Sequence, residues 1–319
     1  MNNNIKFLEK DISKWWKGIA ACFIMIGHIL PDNTPMWLSY FFTGSIWVGL
    51  FFFYSGYGMQ VALDNNDWYL KGFIKKKFKR IYLPFFIAES LYYFIVNIGI
   101  KCDHISFLDF ICSITGIRLA NSVLWYVIEL LIIDILFWCI NILKLDKKIW
   151  IACYTVFALA AVKFDLGVWW YISTSCFVLG IYYKNVTRFL QNKIKNRRGE
   201  YLSIFSFFLL YSILKFIPYL SFNSQFPISK NYLIVGITCV VVPLFVLVCI
   251  IISEKISILK TKNKGFVGQI SYEIYLYHLL VAEVIWSCFG KTMTSIVIIV
   301  VLTVCVAYVM NLVDSRISR

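Results

Sequence analysis

The chain has 319 residues, 60% of them hydrophobic and only 15% charged, with a formal net charge of +14. Soluble domains are about half apolar and about a quarter charged, so a mean hydropathy of +0.75 excludes that class and defines a polytopic membrane protein. The basic excess does not make a nucleic-acid surface either, because the cations sit in short loops between apolar runs, as membrane proteins place them.

Taken in chain order, the apolar runs predict an all-α transmembrane bundle of about ten spans, at roughly 15–30, 40–62, 81–100, 123–143, 149–163, 168–184, 200–217, 231–253, 270–289 and 293–313. The whole chain, 1–319, reads as a single transmembrane domain. The first run closes on Pro31, Asp32 and Asn33 with no A-x-A-like site, so it is expected to be a retained span rather than a signal peptide. Spans 1, 5 and 6 are shorter than the ~20 residues a perpendicular crossing needs and are expected to be shielded by neighbours or to lie where the bilayer is thin.

Two segments depart from this rhythm. Residues 71–80, KGFIKKKFKR, set Phe73, Ile74 and Phe78 among cations, the pattern of a cytoplasmic helix lying in the interface. Residues 104–116 are apolar but too short to cross, and are expected at the outer surface. With these spans, 25 of the 31 lysines and arginines fall on the side of the termini. By the positive-inside rule both termini are expected in the cytoplasm.

Ten cysteines fit no C-x-x-C or other metal spacing and read as small buried hydrophobes; no metal site is expected. H-E-x-x-H, G-x-S-x-G and Walker loops are absent from the sequence, which disfavours zinc hydrolysis and P-loop chemistry.

The ionisable residues inside spans are few, and such residues usually face the protein interior and serve a function. Lys17 and His28 bracket ten largely apolar residues in KGIAACFIMIGH. Eleven residues make almost three helical turns, so the two share one face about 16 Å apart along the axis. The plainer alternative is a snorkelling lysine and a histidine bonded to a neighbouring helix. His278 stands in span 9, and could line a passage, orient His28, or simply be a core histidine bonded to a carbonyl. His104 falls in an outer loop and reads as solvated. His278 and Glu129 are the next candidate bases.

Five stretches then resemble the membrane-bound acyltransferase 3 family: KGIAACFIMIGH at 17–28, FFFYSGYGM at 51–59, KFKRIYLPF at 77–85, LWYV at 124–127 and ISYEIYLYH at 270–278. They occur in order along the whole chain. The resemblance implies an integral membrane acyltransferase, an O-acetyltransferase by class, working with no bound cofactor. It would move an acyl group, most often acetyl, from acyl-CoA to a hydroxyl of a cell-surface or lipid-linked glycan. That is a polysaccharide-modifying role in a bacterial cell membrane, with acyl-CoA, the glycan acceptor and membrane lipids as partners and no nucleic acid. A transporter or flippase for a glycan or small amino acid is the alternative, though the sequence shows none of the internal repeats that favour transport.

By the same resemblance His28 falls on the catalytic histidine. Lys17, Lys77 and Arg80 fall on donor-binding cations, and Tyr54, Ser55, Trp125, Tyr275 and His278 on possible pocket positions. Cations at the mouths of spans 1 and 3 suit the phosphates of CoA; anionic lipid is the other occupant such a cluster fits. Ordinary helix packing is the plain reading of Tyr54, Trp125 and Tyr275, and close helix approach that of Ser55, Gly56 and Gly58. Lysine stands where the family has arginine at 17 and 77, giving a point charge without the bidentate fork. Gly49 and Glu273 also depart from the usual residues.

Overall fold

The structure, a computed structural model, describes residues 8–31, 34–35, 42–103, 106–164, 166–167, 169–189, 197–216, 227–255 and 265–317. His104 lies outside the described residues, as do the cations at 6, 193, 195, 260, 262, 264 and 319. Every regular element among the described residues is helical. In chain order these are α1 (Lys10–Ile29), α2 (Gly44–Asn65), α3 (Phe73–Ile100), α4 (Phe107–Ile114), α5 (Ser122–Ile142), α6 (Ile149–Lys163) and α7 (Trp169–Ile181). They continue with α8 (Tyr183–Phe189), α9 (Arg197–Phe216), α10 (Pro227–Lys255), a single turn at Phe266–Gln269, α11 (Ser271–Phe289) and α12 (Met293–Ile317).

These helices overlie the ten expected ranges, but length and apolarity single out five of the described ones as able to cross a bilayer: α2, α3, α5, residues Tyr232–Lys255 of α10, and α12. The helices that carry the two histidines, α1 and α11, are not among them. In the basic stretch 71–80 the chain passes Gly72, left-handed at φ 74°, enters α3 at Phe73 and stays helical to Ile100.

The chain forms two compact units. One comprises 1–17, 45–67 and 145–265. Within it α9 packs along α10, which also meets α6 and α7. Gly56 and Gly180 allow α2 and α7 to touch backbone to backbone. A Cβ at Gly56 would lie 2.3 Å from the Phe177 carbonyl oxygen, and one at Gly180 would lie 2.3 Å from that of Phe53. Gly58, by contrast, meets open space. Trp16 on α1 donates its indole N–H to Ser253 Oγ on α10 at 2.7 Å, so both buried polar groups are satisfied. At the end of α2, Asp64 receives Gln60 Nε2 at 2.7 Å and Lys184 Nζ at 2.9 Å.

The other unit comprises 18–44, 68–144 and 266–319. Here α3 packs against α4, α5 and α11, and α11 lies along α12. Pro84 has no N–H to give to the helical ladder, and the turn before it, Phe78–Tyr82, is π-helical. A wide turn leaves a carbonyl out of register. The Ile81 carbonyl accepts the Tyr272 hydroxyl of α11 at 2.8 Å, which fastens α11 to α3. Glu89, fully buried on α3, accepts Ser113 Oγ at 2.6 Å and the backbone N–H of Ala120 at 2.6 Å and of Asn121 at 3.3 Å. One carboxylate thus holds the end of α4 and the entry to α5. All ten cysteines are free thiols, so Cys102 and Cys112 form no bridge.

Candidate active site

His28 lies in the last turn of α1 and His278 in the middle of α11. The first remains exposed and the second is fully buried. Their rings lie within 13° of parallel, with His28 Nδ1 2.9 Å from His278 Nε2. The far nitrogen of His278, Nδ1, sits 2.8 Å from the Tyr275 carbonyl oxygen and 3.1 Å from that of Ile274. A carbonyl only accepts, so Nδ1 of His278 must carry a proton. In the neutral ring Nε2 is then bare and accepts. His28 must therefore donate from Nδ1, and its own Nε2 is left with a free lone pair. The order of partners fixes the tautomer of both rings from one backbone carbonyl.

That arrangement can do one thing well. Nε2 of His28 can take a proton from an approaching hydroxyl. The imidazolium that results donates a charge-assisted hydrogen bond to His278, which is stronger than the neutral one it replaces. Gly44 lies beside this nitrogen. A Cβ there would stand 3.7 Å from His28 Nε2, so the missing side chain leaves this nitrogen uncrowded on that side. Tyr275 is held in turn by the Val123 carbonyl, which accepts its hydroxyl, and by the edge of Tyr126 at a ring separation of 5.5 Å. Trp125 immediately precedes Tyr126 in the chain and is half-buried, its ring edge-on to that of Tyr126.

The cations behave differently from one another. Lys77 Nζ is 2.8 Å from Asp134 Oδ1 on α5 and 5.2 Å from the centre of the Phe73 ring. Asp134 is buried, so this pair ties α3 to α5. Arg80, in the π-helical turn, is exposed and makes no ion pair among the described residues. In the other unit Lys17 Nζ lies 5.4 Å from the centre of the Tyr54 ring, within cation–π range. Ser55 is half-buried beside it. The structure thus brings together His28, His278 and Tyr275 in one unit, and Lys17 with Tyr54 in the other.

Sequence reasoning missed Asp134 as the partner of Lys77, Asn311 as the partner of Glu273 at 2.9 Å, and the role of Glu89. An acidic residue within an apolar run was the available signal in each case. Glu129, the reserve base, is buried on α5.

A helical membrane protein with paired histidines, one exposed and one buried, is the class that fold and site define. The acyltransferase-3 family model, described as an acyltransferase domain, matches residues 12–312. The chain belongs to that family and is a membrane acyltransferase. Neither the comparison with curated proteins nor that with solved structures returned a match.

Proposed function

We propose that the protein transfers an acyl group, in the simplest case acetyl from acetyl-CoA, to a hydroxyl of a cell-surface or lipid-linked glycan. His28 acts as the general base. The observation that carries this reading is the hydrogen-bonded order Tyr275 carbonyl, His278, His28, which leaves the lone pair of His28 Nε2 available.

The acceptor oxygen attacks the thioester carbonyl carbon while its proton passes to His28 Nε2. The C–S bond breaks as the tetrahedral intermediate collapses, and the imidazolium returns the proton to the departing sulfur. No covalent acyl-enzyme is required. Lys17 and Arg80 contact the phosphates of CoA. Lys77, held by Asp134, contributes its charge from a fixed position. Tyr54 lies against Lys17 with Ser55 next to it in α2, and Trp125 and Tyr275 support the histidine pair. The orientation that suits this mechanism has both termini, and the basic start of α3, in the cytoplasm of a bacterial cell, with the acceptor outside. Family membership favours acyl transfer over the transport reading.

The deciding experiment incubates membranes containing the protein with radiolabelled acetyl-CoA and the surface glycan fraction of the expressing cells. Label should enter the glycan with wild-type protein and fail to enter with His28→Ala. Label that enters equally with both would remove the assignment of the base; none with wild type would remove the donor or the acceptor. Lys17→Ala and Arg80→Ala should raise the acetyl-CoA requirement severalfold, the weight of one charge-assisted hydrogen bond. Lys17→Arg should be tolerated. Lys77→Ala is a poor probe of the donor, since it strands a buried carboxylate.

A further inference from the structure

A cavity of about 510 Å³ opens beside α4, lined by Tyr93 and Asn97 of α3, Asp103, Asp109 and Ser113, and Arg118 of the loop before α5. Its size is that of a small-molecule site, and its lining is polar where such sites are usually apolar. Asp109 spends one carboxylate oxygen on capping α4, through Ser106 N at 3.0 Å and Ser106 Oγ at 2.7 Å. The other faces Arg118 at 3.8 Å, and the Arg118 side chain is 82% exposed. So long and open a pair holds little interaction energy, and both groups are free to bind something else. Asn97 Oδ1 is shielded from solvent and has no partner among the described residues.

The cavity walls are fixed. Ser113 and Ala120, both lining it, are tied to the same buried Glu89 carboxylate. The segment that begins at Ala120 runs on to Val123, whose carbonyl holds Tyr275, whose carbonyl in turn orients His278. One short stretch of chain therefore forms a wall of the cavity and supports the histidine pair.

We infer that this cavity binds the saccharide of the acceptor. A sugar hydroxyl both donates and accepts, and vicinal hydroxyls need alternating partners. Asp103 and Asp109 accept, Arg118 donates, and the Asn97 amide does both. Close in the chain to the lining residues Asp109 and Arg118, Phe107, Leu108 and Ile117 are 78%, 70% and 79% exposed, apolar side chains that suit a membrane interface, where the lipid of a lipid-linked saccharide would lie. The inference rests on the glycan-acylation reading above and adds to it the place where the acceptor is held.

The test uses full-length protein in membranes with radiolabelled acetyl-CoA and the surface glycan fraction. Arg118→Gln and Asn97→Ala should each raise the glycan concentration for half-maximal transfer about fivefold or more, the weight of one lost hydrogen bond. The acetyl-CoA requirement and the rate at saturating glycan should not change. An unaltered glycan requirement in both variants overturns the inference, as does a loss of rate at saturation with no change in requirement. Equilibrium dialysis of tritiated oligosaccharide, released from the same glycan, against detergent-solubilised protein separates this from failure of the acyl-transfer reading. Binding by wild type that is lost in Arg118→Gln supports the cavity even if no acetyl is transferred; absence of binding by wild type overturns it. Repeating the dialysis with the lipid-linked form and Ile117→Ser identifies the source. Weakened binding of that form assigns the cavity to a lipid-linked saccharide, and unchanged binding assigns it to the free polysaccharide.

Discussion

Helices α11 and α12 are neighbours in the chain, joined at Gly290 and packed along one another, yet they are built to opposite rules. In α12 the buried residues are Ser295, Ile299, Thr303 and Ala307, a single stripe at every fourth position. Val297, Val301 and Val309 on its other side are more than half exposed. In α11 most residues from Ser271 to Ile285 are buried, among them Glu273, Tyr275 and His278. The apolar helix is the one with an exposed face; the helix with ionisable groups is the one enclosed by protein. Length and apolarity together therefore select α12 but not α11 or α1, although the apolar runs at 270–289 and 15–30 mark both. In this family member the helices that carry the histidines are the ones a lipid-solubility criterion does not select, because ionisable and polar side chains, Glu273, His278 and Glu283 on α11 among them, lower their apolarity.

The sharpest way to break this contrast is at His28. If the enclosed helices carry the chemistry, His28→Asn should reduce transfer by at least roughly a hundredfold, the usual contribution of a general base. Asparagine can still hydrogen-bond to His278 Nε2 but cannot accept a proton near neutral pH. Donor binding and membrane insertion should persist. Near wild-type transfer by this variant would leave Glu129 as the next residue to test.

Next in size comes His278. On the geometry it holds His28 in one tautomer and orientation, and small losses of positioning cost up to about a hundredfold. His278→Leu removes the acceptor for His28 Nδ1–H and should lower the rate by roughly ten- to a hundredfold, with the acetyl-CoA requirement unchanged. His278→Gln places an amide oxygen near the former Nε2 and should restore most of the rate. Rates equally low in both variants would show instead that His278 exchanges protons itself.

These two positions also show how much of the protein was legible beforehand. Helix positions followed from the apolar runs, since a span must satisfy its own backbone and announces itself by length. His28 and His278 stood out as rare ionisable groups in apolar surroundings. Their pairing did not, because 250 residues separate them and one sequence carries no register between distant helices. The same limit hid Lys77 and Asp134. It also left open that the helix beginning at Phe73 runs on without a break to Ile100. Nor could composition reveal the cavity, whose walls meet only when Glu89 gathers Ser113, Ala120 and Asn121.

The third expectation concerns the seam between the two helices. Asn311 Nδ2 donates to Glu273 Oε1, so the glutamate that departs from the family pattern has a partner of its own on α12. Asn311→Ala should destabilise the protein by about 1–3 kcal/mol, the penalty of an unsatisfied buried polar group, read as a lower melting temperature in detergent. Glu273→Gln in that background should recover part of it by removing the charge. Ala307→Leu, at a fully buried position of the stripe, should cost a similar ~1–3 kcal/mol through overpacking. Melting temperatures unchanged by both Asn311→Ala and Ala307→Leu would mean that the seam is loose and that the burial contrast between its two faces has no energetic content.

The smallest expected effect is the most direct test of the outer face of α12. Val301 is 56% exposed, two residues from Thr303, which is fully buried. Leucine adds one methylene there and remains as compatible with hydrocarbon as valine. Nothing packs closely enough to require a shift, and leucine is the better helix former. Val301→Leu should therefore change stability by no more than about 0.5 kcal/mol and leave transfer unaltered. Val301→Asp separates lipid from water at the same site. A carboxylate facing hydrocarbon at mid-helix costs about 2.5–3.5 kcal/mol by insertion measurements, whereas one facing water is nearly free. Impaired insertion of Val301→Asp, with normal behaviour of Val301→Leu, would place this face against lipid. Full tolerance of the aspartate would mean that a water-filled space or another protein covers α12, and the rule that separates it from α11 would have to be drawn differently.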